Sequence, residues 1–279
     1  MRSARLLLVL AALLLPGTST AAGQANPPDE LGPGEAPSSD AGAASISGAH
    51  DTRLHLGVAY EHLSNGYGPW RSASLGLHAA GRDGGALYAV VQETTRFMQR
   101  DYEVMAGAQH RLSSRLMAVV EAETSPSHHV SATWGVLGRL ELDAGNGWGV
   151  HASLRHRRYT AATADLSSMT LERYLGRYRA AYTLYVSRLD GGGVSASHRV
   201  HGDLYYGRLS SSVGVGVSVG EELENVQPIG VLETQVRAAA VVGRQWLTPT
   251  WFVMYDALLH EQGALYTRRR LSLSLGHRF

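Results

Sequence analysis

Two adjacent Ser-His pairs, Ser127-His128 and Ser197-His198, are the residues of this chain that come nearest to a catalytic pattern. A serine hydrolase needs a Ser hydroxyl that is activated by a neighbouring base. Neighbours on a β-strand point to opposite faces, so Ser197 and His198 cannot share that hydrogen bond on a strand. The other pair lies in a predicted loop after a proline. We therefore assign no catalytic residue and keep these four as candidates of an alternative hypothesis only.

The sequence contains little that indicates a metal or cofactor site. The chain has no cysteine, which excludes disulfides and thiolate metal sites. His260-Glu261 lacks the second His four residues later that a zinc-protease helix requires. The acidic residues Glu221, Glu222 and Glu224 are more typical of a solvated loop than of a calcium site. We expect no metal and no cofactor.

Charged residues recur on one face of stretches that alternate apolar and polar side chains. In residues 53–62 the face opposite Leu54, Leu56 and Val58 carries charges, which a packed soluble core tolerates only at a cost. A barrel with a wet lumen accommodates such charges easily. The predicted lumen charges are Glu93, Glu121, Glu123, Arg139, Glu141, Arg155, Arg157, Glu172 and Arg179. They predict either a cross-braced network that narrows the pore or rings that select permeant ions or sugars.

The last nine residues show the alternation most clearly. Leu271, Leu273, Leu275 and Phe279 share one face, and Ser272, Ser274, Gly276 and Arg278 share the other. This pattern indicates a strand with lipid outside and water inside. A closing strand with a final Phe is also similar to the assembly signal of bacterial outer-membrane barrels. We therefore expect Phe279 to be read by the barrel-assembly machinery.

Similar stretches fill the chain from residue 52 onward, and Gly, Asp, Asn, Ser and Pro separate them. Strands are predicted at 53–62, 70–80, 85–96, 101–111, 115–123, 130–142, 147–159, 194–206, 211–221, 233–246, 251–260 and 270–279. The segment 166–189 is too long for one spanning strand of roughly 9–11 residues, and it can supply two or none. Both chain ends of such a barrel lie in the periplasm, so the strand number is even. We predict a transmembrane antiparallel up-and-down β-barrel of 14 strands, with 12 as the alternative.

This topology assigns the connections to two sides. Periplasmic turns are expected near Arg82, Ser113, Gly145, Gly176, Arg208 and Thr248, and outer loops near 65–69, 97–100, 125–129, 161–165, 190–193, 223–230 and 263–266. Tryptophans near strand ends predict an interfacial girdle made of Trp70, Trp134, Trp148, Trp246 and Trp251. Tyrosines near strand ends, such as Tyr67 and Tyr266, either stack on sugars or anchor the same girdle.

The first 51 residues differ in composition. Arg2 and Arg5, the apolar run 6–15 and small residues up to Ala22 predict a secretory signal peptide over 1–22, too short to span a bilayer. Residues 23–51 contain mostly Ala, Gly, Pro, Ser and acids, which predicts a flexible periplasmic linker before a barrel over 52–279. The formal net charge of +1 gives no reason to expect nucleic acid. Every Lys or Arg position is Arg, which suits phosphates such as those of lipopolysaccharide or reflects codon bias.

Several motifs together resemble the YaiO-type outer-membrane β-barrel family. They are Gly66-Tyr67-Gly68-Pro69-Trp70-Arg71-Ser72, Arg96-Phe97 with Asp101, Ser125-Pro126-Ser127-His128, Arg157-Arg158-Tyr159, Glu172-Arg173-Tyr174, Ser197-His198-Arg199, Tyr205-Tyr206-Gly207, Gly220-Glu221-Glu222 and His260-Glu261-Gln262-Gly263. The resemblance implies the bacterial outer membrane, contact with outer-membrane lipid and lipopolysaccharide, and a loose association with surface polysaccharide.

On these grounds we expect a narrow channel or accessory scaffold for surface glycans. One alternative is a hydrolase or acyltransferase that acts on lipid or lipopolysaccharide. Another is a purely structural or adhesive barrel. Fold class alone does not choose between them.

Overall fold

The computed structural model describes residues 51–81, 84–226 and 230–279. The predicted signal peptide, nearly all of the predicted linker and parts of the connections near Arg82 and residue 228 lie outside the described residues. Within the described residues, no helix is long and apolar enough to cross a membrane. The first strand starts at Asp51, one residue before the predicted start of the barrel.

Fourteen antiparallel strands form one closed barrel, as predicted. They are β1 (Asp51–Leu63), β2 (Trp70–Ala80), β3 (Ala86–Arg96), β4 (Gln99–Arg111), β5 (Leu116–Thr124), β6 (Trp134–Gly145), β7 (Trp148–Arg158), β8 (Thr163–Leu175), β9 (Tyr178–Leu189), β10 (Val194–Tyr206), β11 (Ser211–Val226), β12 (Gly230–Trp246), β13 (Trp251–Gln262) and β14 (Tyr266–Arg278). The segment 166–189 supplies two strands, because Gly176 turns the chain with a φ of +62°.

Each strand pairs with its neighbours in sequence, and β1 pairs with β14 to close the sheet. The closing register runs from Arg53 opposite Arg278 to Leu63 opposite Arg268. Closure gives every strand a partner on both sides and so satisfies the backbone hydrogen bonds that lipid cannot. We call the end where β1 starts and β14 finishes the terminal end, and the opposite end the loop end.

The outer face is an apolar band. Leu56, Val58, Leu271 and Leu273 are exposed at alternate positions of β1 and β14. Polar residues between them, such as Ser272 and Ser274, point inward. The alternation with period two therefore separates a lipid-facing surface from a lumen, as the sequence pattern predicts.

Three details differ from the sequence prediction. Strand β6 starts at Trp134 and not at residue 130, because Asp101 of β4 holds residues 129–131 as a loop. Strand β11 ends at Val226 and strand β12 begins at Gly230, so both strands extend into the loop predicted at 223–230. Trp70 and Trp246 are inward and buried, so the girdle interpretation is wrong for these two. Trp134, Trp148 and Trp251 are exposed on the outer face.

The β11–β12 hairpin leans over the loop end of the barrel. Leu223 packs with Tyr159 and Leu189, which belong to the β7–β8 connection and β9, and Val231 also contacts this cluster. The lean starts at Gly220, where a side-chain Cβ would overlap the backbone of Ser197 and Ala196 on β10. Only glycine allows this close approach of two strands.

Candidate functional site

The inner wall of the barrel carries the largest set of interacting polar side chains in the described residues. The inward face of β5 to β10 supplies most of them, because many of its alternate positions carry charged or polar residues. Several ion pairs join strands that are not neighbours, which is feasible only across a concave inner surface. The lumen is therefore the candidate functional site.

A first group, the loop-end network, consists of Tyr88, Glu121, Glu123, Arg155 and Arg157. Glu123 Oε1 accepts a hydrogen bond of 2.5 Å from Arg157 Nε, and Oε2 accepts bonds of 3.2 Å from Arg157 Nη2 and 3.3 Å from Arg155 Nη1. Arg155 Nη2 donates to Glu121 Oε2 at 2.9 Å, and Tyr88 donates to Glu121 Oε1 at 2.7 Å. These bonds connect β3, β5 and β7 across the intervening strands.

A second group, the terminal-end network, runs sideways along the wall from β6 to β10. His151 Nε2 lies 3.0 Å from Glu172 Oε1, and Arg179 Nε donates to Glu172 Oε2 at 2.7 Å. Arg179 Nη1 also donates to Asp203 Oδ2 at 2.9 Å, while His201 Nε2 lies 2.8 Å from Asp203 Oδ1. Arg139 Nε pairs with Glu141 at 3.1 Å, and Glu141 reaches within 4.0 Å of His151.

Charges of both signs alternate through the two networks. Desolvating an ion in the lumen wall costs free energy, and opposite charges with several hydrogen bonds offset that cost. The charges within the two networks therefore compensate one another, and the side chains lie along the wall and brace its strands.

Eight of the nine predicted lumen charges take part in these networks. Glu93 does not, because it lies on the outer face of β3 in phase with Leu87 and Val91, where it pairs with Arg100 at 3.3 Å. Near the end of a strand a charge on the outer face costs only about 0–1 kcal/mol, so residue type no longer indicates the face there.

Neither of the two adjacent Ser-His pairs forms a catalytic dyad in the structure. Ser197 points into the lumen and is buried, whereas His198 points outward and contacts the Tyr182 hydroxyl at 2.7 Å. Ser127 Oγ accepts a hydrogen bond from the backbone of Tyr102, and the His128 ring contacts the Ser125 carbonyl at 3.0 Å. The hydrolase hypothesis gains no geometric support from these residues.

Sequence reasoning missed several members of the networks. Four inward-facing members were omitted because the predicted lumen charges were Glu and Arg residues only. They are Tyr88, His151, His201 and Asp203. Counting alternate positions from the lipid-facing apolar residues of each strand assigns these four side chains to the lumen. Asp101 was also missed. It is fully buried and accepts bonds from the backbone of residues 129, 130 and 131 at 2.6–2.9 Å.

A third sector of the lumen wall carries small side chains. On β14, β1 and β2 the inward positions in the middle of the strands are glycine, alanine and serine, namely Gly57, Ala59, Ser72, Ser74, Gly76, Ser272, Ser274 and Gly276. Larger inward side chains, among them Arg53, Glu61, Arg268 and Arg270, lie towards the strand ends. Rings from neighbouring strands lie flat over some of these glycines. His55 covers Gly76, and Phe252 covers Gly276. The small-residue sector therefore spans the middle of these strands, and towards the loop end it is bordered by the ion pairs Arg268–Glu61 at 3.5 Å and Arg270–Asp256 at 3.3 Å.

An aromatic cluster borders the loop end beside that sector. It consists of Leu63, Trp70 and Tyr266, with Phe97 and Leu265 packed against them. The Arg96 and Arg268 guanidinium groups lie 4.9 Å and 5.6 Å from the Trp70 ring centroid. Tyr67 packs edge-on against Phe97 and Tyr266 and remains 40% exposed.

Solved structures with a similar fold are outer-membrane proteins. The CymD monoaromatic hydrocarbon channel matches with a TM-score of 0.54 at 10% identity, over 84% of this chain and 88% of that chain. A bacterial polysaccharide outer membrane secretin matches with a TM-score of 0.52 at 8% identity, over 82% and 98%. Acinetobacter baumannii Omp33 matches with a TM-score of 0.51 at 10% identity, over 82% and 99%. At these identities the likeness concerns the fold alone.

A search of curated protein sequences gave no significant match. The family model described as the YaiO membrane beta barrel domain matches residues 51–224, which is more than half of the chain. The family model and the porin-like neighbours locate the protein in the bacterial outer membrane. The chain belongs to the YaiO membrane β-barrel family.

Proposed function

We propose that this barrel is a narrow, water-filled channel for polar solutes of the glycan class. The observation that carries the proposal is the division of the inner wall into braced ion-pair networks and a sector of small side chains. Side chains fill an eight-stranded barrel, whereas barrels of 16–18 strands leave an aqueous channel. This barrel of 14 strands lies between these two sizes, and we place the proposed passage along the small-residue sector of β14, β1 and β2.

The chemistry of the wall suits sugars more than ions. Paired carboxylates and guanidinium groups offer acceptors and donors side by side, which match the hydroxyl groups of a sugar. Since the charges are paired, they exert little net attraction on an ion of either sign. At the loop end, Tyr67 presents an exposed ring on which a sugar face can stack. The fold likeness to a polysaccharide secretin agrees with this solute class.

Conductance in planar lipid bilayers tests the channel. The wild-type protein is expected to give ion currents well above protein-free membranes. Ala59→Trp places a bulky ring in the small-residue sector and is expected to reduce single-channel conductance several-fold. Val58→Trp, on the lipid-facing side of the same strand, serves as the control and is expected to leave conductance unchanged. A wild-type protein that folds in the membrane without conducting would exclude a channel and favour the scaffold or structural alternative.

The solute class needs a separate measurement. Neutral oligosaccharides added on the loop side are expected to block the ion current reversibly, because they occupy the passage. Tyr67→Ala is expected to weaken this block while leaving the unblocked conductance unchanged. Ion currents that oligosaccharides do not affect would leave the channel in place and reject glycans as its solutes.

A further inference from the structure

Outward-facing basic residues form a patch at the loop end of β14, β1 and β2. Arg269 on β14 and His62 on β1 are register partners, and both side chains are exposed. Arg71 on β2 is the register partner of Tyr60, and its guanidinium lies 5.9 Å from the Tyr60 ring centroid. We call Arg269, His62 and Arg71 the rim patch.

The rim patch lies directly above the apolar band. Leu271 is two residues from Arg269 on the same face, and Val58 is two residues from Tyr60. A separation of two residues is about 7 Å along a strand, which is the scale of the step from acyl chains to headgroups. Tyr60, which is also exposed, places a phenol hydroxyl at the same boundary.

Within the described residues, Arg71 and Arg269 have no carboxylate partner. Other outward basic groups of the loop end do have acidic neighbours. Arg100 pairs with Glu93 at 3.3 Å, and His156 lies 2.6 Å from Asp165. Arg237 on β12 stands opposite Glu261 in the register, with Glu233 on its own strand. Glu93 and Glu261 also lie diagonal to Arg71 and Arg269, two residues off the register, but in the part of the chain that the structure describes they form no ion pair with these two arginines. The rim patch therefore offers two outward guanidinium groups that are not held by a carboxylate.

We propose that the rim patch binds the phosphate groups of lipopolysaccharide in the outer leaflet. Both chain ends of an outer-membrane barrel face the periplasm, so the loop end faces that leaflet. Guanidinium groups bind phosphate through paired, charge-assisted hydrogen bonds, and these bonds strengthen where lipid excludes water. The acyl chains of the same molecule would cover Leu271, Val58 and Leu75 below the patch. The inference is independent of the proposed channel, since it concerns the outer face only.

Native mass spectrometry of the full-length protein in non-ionic detergent tests this inference, with bisphosphorylated lipid A as the probe. The double variant Arg71→Gln/Arg269→Gln is expected to weaken binding by about tenfold for each arginine removed. The double variant Arg71→Lys/Arg269→Lys keeps the charge without the planar fork and is expected to bind with intermediate affinity. Retention of heat-modifiable mobility in gels shows that each variant is folded.

Two controls make the test specific. Arg237→Gln removes another exposed outward arginine, which stands opposite Glu261 in the register, and is expected to change binding less than twofold. Lipid A without phosphates is expected to bind equally well to the wild-type protein and to the Gln variants, and inorganic phosphate alone is expected not to compete. Equal binding of bisphosphorylated lipid A to the wild-type protein and the double Gln variant would overturn the proposal. An effect of Arg237→Gln as large as that of the pair would overturn it as well.

Discussion

Two glutamates, one on β3 and one on β5, show that the contribution of an ion pair depends on the face of the barrel that carries it. Glu123 is inward and buried, and it accepts three hydrogen bonds from Arg155 and Arg157. Glu93 is outward and half-exposed, and it has one contact with Arg100. Exposed pairs contribute about 0–1 kcal/mol, whereas removal of one partner from a buried pair costs about 3–5 kcal/mol.

Glu123→Gln is therefore expected to lower the free energy of unfolding by about 3–5 kcal/mol, because Arg157 loses its buried carboxylate and Arg155 keeps only Glu121. Urea titration of the protein folded in lipid vesicles measures the loss. Glu93→Gln is the matched control, with an expected change below about 1 kcal/mol. The double variant Glu123→Gln/Arg157→Gln is expected to recover part of the loss. Equal effects of the two single substitutions would contradict the assignment of Glu123 to the braced wall.

At this scale the sequence predicts most of the lumen charges but not their partners. Parity along a strand follows from covalent geometry, so Glu121 and Arg155 could be assigned a face from the sequence alone. Which carboxylate meets which guanidinium depends on register and on side chains that reach over an intervening strand. The buried Asp101 illustrates the limit, since its acceptors serve a loop 28 to 30 residues away.

Strand β14 closes the barrel, and its last residues carry an aromatic group on the outer face. The Trp251, His277 and Phe279 rings pack edge-to-face, with centroids 4.7 Å and 4.6 Å apart in the two contacts. Phe279 is 70% exposed, and its backbone N–H donates to Thr52 of β1 at 2.9 Å. Phe279 therefore lies at the edge where β14 meets β1, and its ring is exposed on the outer face.

Deletion of Phe279 is expected to reduce assembly into the outer membrane strongly while secretion to the periplasm continues. The physical reason is the loss of both an exposed aromatic ring and a hydrogen bond at the closing edge. Quantification of the heat-modifiable form in membrane fractions against total periplasmic protein measures the effect. Phe279→Tyr keeps the ring and the backbone bond, and it is expected to assemble normally. Normal assembly of the deletion variant would reject Phe279 as an assembly signal.

The sequence predicts strands well where one face meets lipid. Residues 70–80 and 194–206 alternate strictly, and their predicted bounds agree with β2 and β10. Residues 130–133 also alternate, but they form a loop because hydrogen bonds to Asp101 replace the ladder. The β11–β12 hairpin continues beyond the lipid, where no apolar face is required. Its extension depends on packing against Tyr159 and Leu189, which sequence pattern does not record.

The whole molecule combines two kinds of asymmetry around one ring of strands. Inside, the ion-pair networks of β3 to β10 face a sector of small residues on β14, β1 and β2. Outside, the rim patch lies on that same sector, and the acidic residues Glu261 and Glu233 lie on the adjoining strands β13 and β12. The even strand number, the consecutive pairing and the closure of the last strand against residues 53–62 could be derived from the sequence, and the structure confirms that β14 pairs with β1. The small-residue sector exists only because that closure places Ser274 beside Gly57.

A water-filled lumen predicts a strict alternation in chemical accessibility along β14. The chain has no cysteine, so single cysteines introduced at Leu273 and Ser274 are unique reporters. A small, charged, membrane-impermeant maleimide added to intact cells is expected to label Ser274→Cys, because that side chain lines the passage and thiols react from water. Leu273→Cys faces acyl chains and is expected to remain unlabelled until detergent denatures the barrel. Arg269→Cys lies at the exposed rim and serves as the control that is expected to be fully labelled. If Ser274→Cys is not labelled in folded barrels while Arg269→Cys is labelled, the passage is closed. That result would favour a scaffold over a channel.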